Sequence, residues 1–255
     1  MIDEPMARGT SPLHALDPRV RLLACLALSL TAALAQGVRT PIVILSVGLL
    51  LTVCTRASFG LVFSRLCTVN LFVGFLWLLL PFTAPGLPVW HAMGLTLSRE
   101  GVQLALQITV KTNAIFFCML SLMATIPAPA LGRAMAALHV PAKFSFLFLF
   151  TYRYLHVIAE EYVRLATAAR LRGFVPATDR RTYRTYAALV AMVLVKSYDR
   201  SQRVYQAMLL RGFTGIFPSL DRFQARRKDW IFLIVIVTIV VWAAWLDCWG
   251  RNGNV

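Results

Sequence analysis

Apolar residues predominate over residues 22 to 38, 40 to 55, 66 to 82, 101 to 125 and 230 to 246, each run bounded by charge, proline or glycine. Runs of this kind predict membrane-spanning helices, because about 17 to 25 apolar residues cross the hydrocarbon core of a bilayer. The first two sit near the lower limit and need their flanks to reach both interfaces. Only a short turn around Gly37 separates them, so they are expected to form an antiparallel hairpin. Asp17-Pro18-Arg19 opens the first run with an N-cap carboxylate and a proline at the first helical position, a strong helix-start signal. Ala33-Leu34-Ala35 resembles a signal-peptide cleavage site, but the long, acid-containing tail before the run argues for a retained helix. Arg56 and Arg65 are expected in a cytoplasmic loop before the third run. Pro81, Pro85, Gly86, Pro88 and Trp90 then form a broken, charge-free stretch expected to be an external loop. Arg226, Arg227 and Lys228 anchor the start of the last run. Trp242, Trp245 and Trp249 mark its far end, which is expected to be external.

Between residues 126 and 228 the pattern changes to amphipathic helices. Residues 128 to 139 predict a short helix stopped by Pro141. Phe144 to Phe150 is strongly apolar but reaches Arg153 too soon to span a bilayer. Residues 144 to 172 therefore read as one long helix, with Leu155, Ile158, Tyr162, Leu165 and Ala169 as its apolar stripe and Glu160 and Arg164 as an i,i+4 ion pair. Residues 175 to 185 read as a polar linker containing Pro176 and Asp179. A second long helix over 186 to 211 is expected to use Val190, Leu194, Ser197, Ser201, Val204 and Met208 against the first, the two serines allowing a close crossing.

Both long helices end on one phrase. Residues 168 to 174 read Ala-Ala-Arg-Leu-Arg-Gly-Phe and residues 207 to 213 read Ala-Met-Leu-Leu-Arg-Gly-Phe, with five of seven positions identical. Arg164 and Arg203 extend the register upstream. A glycine just past the last turn most easily takes the left-handed cap, and the phenylalanine is expected to pack back on the helix. Arg172 and Arg211 are thereby presented at rigid helix tips. Ala7-Arg8-Gly9 mimics the phrase, but no amphipathic helix precedes it.

Composition agrees with a polytopic membrane protein: 58% of the 255 residues are hydrophobic and the mean hydropathy is +0.68. The net charge is +15, and 17 of the 26 Lys and Arg lie between residues 126 and 228 with only five acids. That segment is expected on the cytoplasmic side, facing an acidic partner or anionic lipid. The organisation expected is a tail with four spans over 1–125, a basic cytoplasmic module over 126–228, and a last span with the C-terminus over 229–255.

The cysteines, Cys25, Cys54, Cys67, Cys118 and Cys248, lack Cys-x-x-Cys spacing and read as small buried hydrophobes. The four histidines, at 14, 91, 139 and 156, have no metal-ligand spacing. Lys111 lies near mid-membrane beside Thr109, Thr112 and Asn113, a functional-site candidate without a carboxylate in any apolar run to pair with. Its contacts are expected among backbone carbonyls, Asn70 or another subunit, with proton transfer as the alternative. The sequence holds neither a P-loop nor a nucleophile, base and orienter in a convincing context. Glu160 and Glu161 diverge on a helix and read as ion-pair partners. A self-contained carrier needs midplane ligands that are missing, and a lipid-modifying membrane enzyme lacks an identifiable nucleophile. What remains is a span bundle joined to a basic two-helix arm, a mechanical coupler whose two similar tips suit two similar grooves.

The chain resembles the T component (EcfT) of energy-coupling-factor transporters, and within it the cobalt-type CbiQ permeases. The matching phrases are Leu16-Asp17-Pro18-Arg19, then Tyr152-Arg153-Tyr154 through Glu160-Glu161 to Arg172-Gly173-Phe174. Tyr198-Asp199-Arg200-Ser201 leading through Ala207-Met208 to Arg211-Gly212-Phe213-Thr214-Gly215 completes them. The family phrase is often Ala-Arg-Gly, whereas Leu171 and Leu210 precede the arginines here. The resemblance implies an all-α membrane protein with about five spans and a coupling module of one short and two long crossing helices. It implies that Leu171, Arg172, Gly173 and Phe174, and Leu210, Arg211, Gly212 and Phe213, dock on two ABC-type ATPases. These would hold the ATP and Mg2+, leaving this chain without a cofactor, a metal site or catalysis of its own. It further implies a separate substrate-binding membrane subunit, with room for a small accessory membrane protein, no nucleic acid, a bacterial inner-membrane location with a cytoplasmic N-terminus and arm, and Co2+ as cargo, with Ni2+ or a vitamin as alternatives.

Overall fold

The computed structural model describes residues 6, 9, 11–55, 58–83, 88–92, 95–214 and 227–252, apart from the side chains of 88–92, 95–97 and 248–252. Arg56, Pro85, Gly86, Gly215, Arg226, Ala7 and Arg8, and the side chains of Trp90, Cys248 and Trp249, lie outside the described residues. The protein is an all-α membrane protein. Its helices are α1 (Pro18–Leu34), α2 (Arg39–Cys54), α3 (Phe59–Thr83), α4 (Arg99–Leu122), α5 (Ala128–Ala137), α6 (Ala142–Leu171), α7 (Arg180–Leu210) and α8 (Arg227–Asn252). A 3-10 turn at Pro12–Ala15 precedes α1, and an antiparallel ribbon of β1 (Pro88–Ala92) and β2 (Leu95–Ser98) precedes α4. Among the described residues three helices, α3, α4 and α8, are long and apolar enough to cross a membrane, and α2 is a shorter apolar helix.

Two expectations about loops are corrected. Arg65 lies inside α3, which begins at Phe59, because the apolar residues before it continue the helix and one arginine near a span end can reach the interface. Pro81 also lies inside α3, two residues before its end. There its missing N–H costs one hydrogen bond and does not break the helix.

The chain divides into two compact units. Among the described residues, one comprises those from 6 to 134 and from 227 to 252, the other residues 135–214. In the first, α4 packs against α1, α2 and α3, and α8 packs on α1 and α2. The core between these helices is made by Ala24, Cys25, Leu28, Ile44, Ala114, Cys118, Leu122 and Ile236. Small residues set the spacing: a Cβ at Gly48 would lie 3.0 Å from the Phe117 Cβ and 3.2 Å from the Cys118 backbone nitrogen, so α2 and α4 approach closely only with glycine here. Cys25 and Cys118 are buried as expected, but Cys54 and Cys67 are exposed. In a membrane helix an outward apolar residue faces lipid, so hydrophobicity alone does not assign it to the core.

Both ends of α8 are tied to α1 or its turn. The Asp17 backbone N–H donates to Asp229 at 2.9 Å. The Asp17 carboxylate in turn accepts from the Arg19 N–H at 2.9 Å, the N-cap expected. Arg21 is 2% exposed and donates to the Thr125 hydroxyl at 3.1 Å, with Asp17 and Asp229 as its neighbouring opposite charges. At the other end Asp247 accepts from the Gln36 and Gly37 N–H groups at 3.2 and 3.1 Å. Between α3 and α4, Asn70 and Asn113 exchange amide hydrogen bonds of 3.1 Å, and Trp77 donates to Thr109 at 2.8 Å.

The second unit is built on α6 and α7. α7 begins at Arg180, earlier than the linker composition predicts. Arginine is a good helix former, so a polar stretch after an extended Asp179 continues as helix. Thr182 steadies the approach by accepting from the Ala177 N–H at 3.1 Å.

Candidate functional site

The two Arg-Gly-Phe phrases form the same cap. At the end of α6, Gly173 has φ +81°; its N–H donates to Arg170 O at 3.0 Å and the Phe174 N–H to Ala169 O at 3.1 Å. At the end of α7, Gly212 has φ +77°; its N–H donates to Leu209 O at 3.0 Å and the Phe213 N–H to Met208 O at 3.1 Å. Both are complete Schellman motifs, with two terminal carbonyls satisfied by the residues that follow the arginine. Arg172 and Arg211 occupy the equivalent C-cap positions and are exposed. Leu171 and Leu210, one residue earlier, are 85% and 90% exposed. Each tip therefore presents a guanidinium beside an uncovered apolar side chain.

The phenylalanines reach across the helix pair. Phe174 meets Tyr186, at the start of α7, edge to face with centroids 5.6 Å apart. Phe213 stacks on Phe146, at the start of α6, at 6.4 Å. The helices thus run antiparallel, and the tips lie at opposite ends of the pair. This aromatic bracing was not legible in the sequence, because it needs the crossing geometry.

Near the crossing, Glu161 of α6 takes a hydrogen bond from Lys196 of α7 and pairs with Arg200 at 3.9 Å. Its carboxylate, 14% exposed, is held below the usual range, chiefly by the Lys196 hydrogen bond, with further help from the charges of Lys196, Arg164 and Arg200 and against some desolvation. Glu160 makes the expected i,i+4 contact with Arg164 at 3.8 Å, with both side chains well exposed. On one side of the crossing lies an apolar groove of about 450 Å³, with Phe150, Leu155, Ile158, Val204 and Met208 among its walls. The expected contact stripe of α7 is right there but shifted in its first half. Val193 is buried and Leu189 faces α6, whereas Val190 and Leu194 are 52% and 66% exposed.

Lys111 donates to Ala33 O at 3.2 Å, one of the carbonyls left without an intrahelical partner at the end of α1. Of the contacts expected for it, the structure shows the carbonyl. Among the described residues no group of three or more His, Cys, Asp or Glu side chains could hold a metal ion.

The family description "Cobalt transport protein", CbiQ, matches residues 9–224, which include both arginine tips and the helices that carry them. The chain belongs to the CbiQ family. Among relatives, it is 30% identical over 151 residues to "Cobalt transport protein CbiQ" of Rhodobacter capsulatus, a match covering 59% of this chain and 62% of that one. It is 28% identical over 154 residues to "Nickel permease LarQ" of Lactiplantibacillus plantarum, covering 60% and 52%. Over 218 residues it is 22% identical to "Energy-coupling factor transporter transmembrane protein EcfT" of Acidaminococcus fermentans, covering 81% of each. The matched stretches thus span less than two thirds of the first and second of these relatives, and most of the third. Membership of CbiQ, with the apolar helices, makes this a multi-pass membrane protein of a transport family.

Proposed function

We propose that this chain is the transmembrane energy-coupling subunit of an energy-coupling-factor importer. It passes ATP-driven motion from two cytosolic ABC-type ATPases to a separate substrate-binding membrane subunit. The observation that carries this reading is the pair of identical Schellman-capped tips, which hold Arg172 and Arg211 exposed at opposite ends of one antiparallel helix pair. A guanidinium fixed this way makes bidentate contacts to carboxylates in a groove, and truncating a buried pair of that kind costs about 2–5 kcal/mol. ATP and Mg2+ belong to the partners, and this chain contributes force transmission without catalysis. The bundle sits in the bacterial inner membrane, with the N-terminus and the basic arm on the cytoplasmic side.

Cobalt is the cargo we favour, supported by the family description and by the Rhodobacter relative's name. Nickel is the second reading, supported by the name of the Lactiplantibacillus relative. The docking test is charge reversal at the tips. Arg172→Glu or Arg211→Glu alone should lower ATPase retention on the purified chain, and the double variant should abolish it with membrane insertion intact. Retention at the wild-type level by the double variant removes the tips as docking points.

A further inference from the structure

The caps are alike, but their surroundings differ. Around the first tip, Arg170, Arg172, Arg180, Arg181 and Arg184 all lie within residues 170–184, and all are exposed. Among the described residues none of the five forms an ion pair, and Asp179 is the one carboxylate in that stretch. Arg172 and Arg181 line one polar hollow of about 400 Å³ together with Asp179, Thr182 and Thr185. Three of these arginines occupy the first turns of α7, where their side chains favour helix but the helix dipole disfavours their charge, so helix stability does not account for the clustered positive charge. Around the second tip the hollow beside Arg211 is mainly apolar and aromatic, walled by Phe150, Tyr154, Val204 and Met208. Among the described residues that wall it, the other cation is Arg153, which lies over the Tyr154 ring, 5.8 Å from the centroid.

We infer that the two tips fit chemically different partner surfaces, the first an acidic one rich in carboxylates and the second a largely apolar one with a single carboxylate for Arg211. This rests on the reading of the tips as ATPase docking points. It holds whether the partners are two different ATPases or two copies of one ATPase presenting different faces. The strength of the first contact comes mainly from exposed charge, and that of the second from buried apolar area. Exposed ion pairs contribute a few-fold each and are screened by salt, whereas apolar burial is not.

The test compares the full chain with only one working tip, in phosphatidylcholine nanodiscs with its ATPases. Salt is raised from about 0.1 to 0.5 M, which shortens the screening length from about 10 to 4 Å. The Arg211→Glu chain, docked through its first tip, should lose ATPase affinity about tenfold, and the Arg172→Glu chain less than about threefold. Adding Arg180→Gln, Arg181→Gln and Arg184→Gln to the Arg211→Glu chain should flatten its salt response. Equal salt responses for the two single-tip chains overturn the inference. So does a response that appears only when phosphatidylglycerol is added, which would assign the arginine patch to lipid headgroups. If the double-tip variant retains ATPase at the wild-type level, the docking reading itself fails. If that variant is empty and the two responses are equal, only the asymmetry fails.

Discussion

Gly173 and Gly212 lie in the left-handed region, and a Cβ added to either meets no atom within 4 Å. Substitution at these sites therefore probes backbone strain with no steric clash. Gly173→Ala should weaken the first cap by about 1–2 kcal/mol, read as a roughly five- to thirtyfold loss of hydrogen-exchange protection at the amides of position 173 and Phe174. Unchanged protection would mean that the cap does not depend on glycine. His139 supplies the opposite sign. It has φ +63°, and the Val140 N–H donates to Met135 O at 3.2 Å, so α5 ends in a similar cap without glycine. His139→Gly should stabilise the protein by up to about 1 kcal/mol, seen as a raised thermal midpoint in detergent. The glycine caps were legible because Gly-Phe spells them. The His139 cap was not, since Pro141 announced the stop without the conformation that precedes it.

At the scale of elements, helix register explains where the pattern of apolar residues was read correctly and where it slipped. A seven-residue apolar spacing drifts about 20° per repeat on a 3.6-residue helix. The stripe assigned to α7 was anchored on Ser197, Ser201, Val204 and Met208, all of which line the groove against α6. Extended back as Val190 and Leu194, it rotated off the contact face, and Leu189 and Val193 took their place. The Glu161 bridge to Lys196 and Arg200 was hidden for a related reason: it depends on where the two helices cross, which no single-helix periodicity contains. Because Glu161 titrates below its ordinary range in the folded arm, its contribution is fully present above the unfolded carboxylate pKa and is lost as pH falls through the lower folded value. Hydrogen exchange of α6 and α7 should therefore show acid-induced loosening of the crossing, and Glu161→Gln should remove that pH dependence. An identical acid response in the variant would assign it to other groups.

At the scale of the whole molecule, the apolar helices, the two long amphipathic helices and their glycine-capped ends were written in the sequence pattern, while the closure of the bundle was not. Asp17 and Asp229 meet across a sequence separation of 212 residues, and Asp247 clamps the turn at Gln36 and Gly37 from a similar distance along the chain. Asp229 and Asp247 stand just outside the last apolar run, so the apolar pattern along the chain does not point to either. Asp229→Ala removes the acceptor for a buried N–H and a charge beside buried Arg21, and should destabilise the bundle by about 3–5 kcal/mol in detergent unfolding. A loss under about 1 kcal/mol would show that the latch is dispensable. The central claim, that this chain couples ATPases to a membrane partner, is tested most directly by its company. The measurement is affinity isolation of the intact chain from its native membrane, with quantitative mass spectrometry of what remains bound. The account predicts two ABC-type ATPase copies per chain together with a substrate-binding membrane protein. Recovery of the intact chain with no ATPase would contradict it.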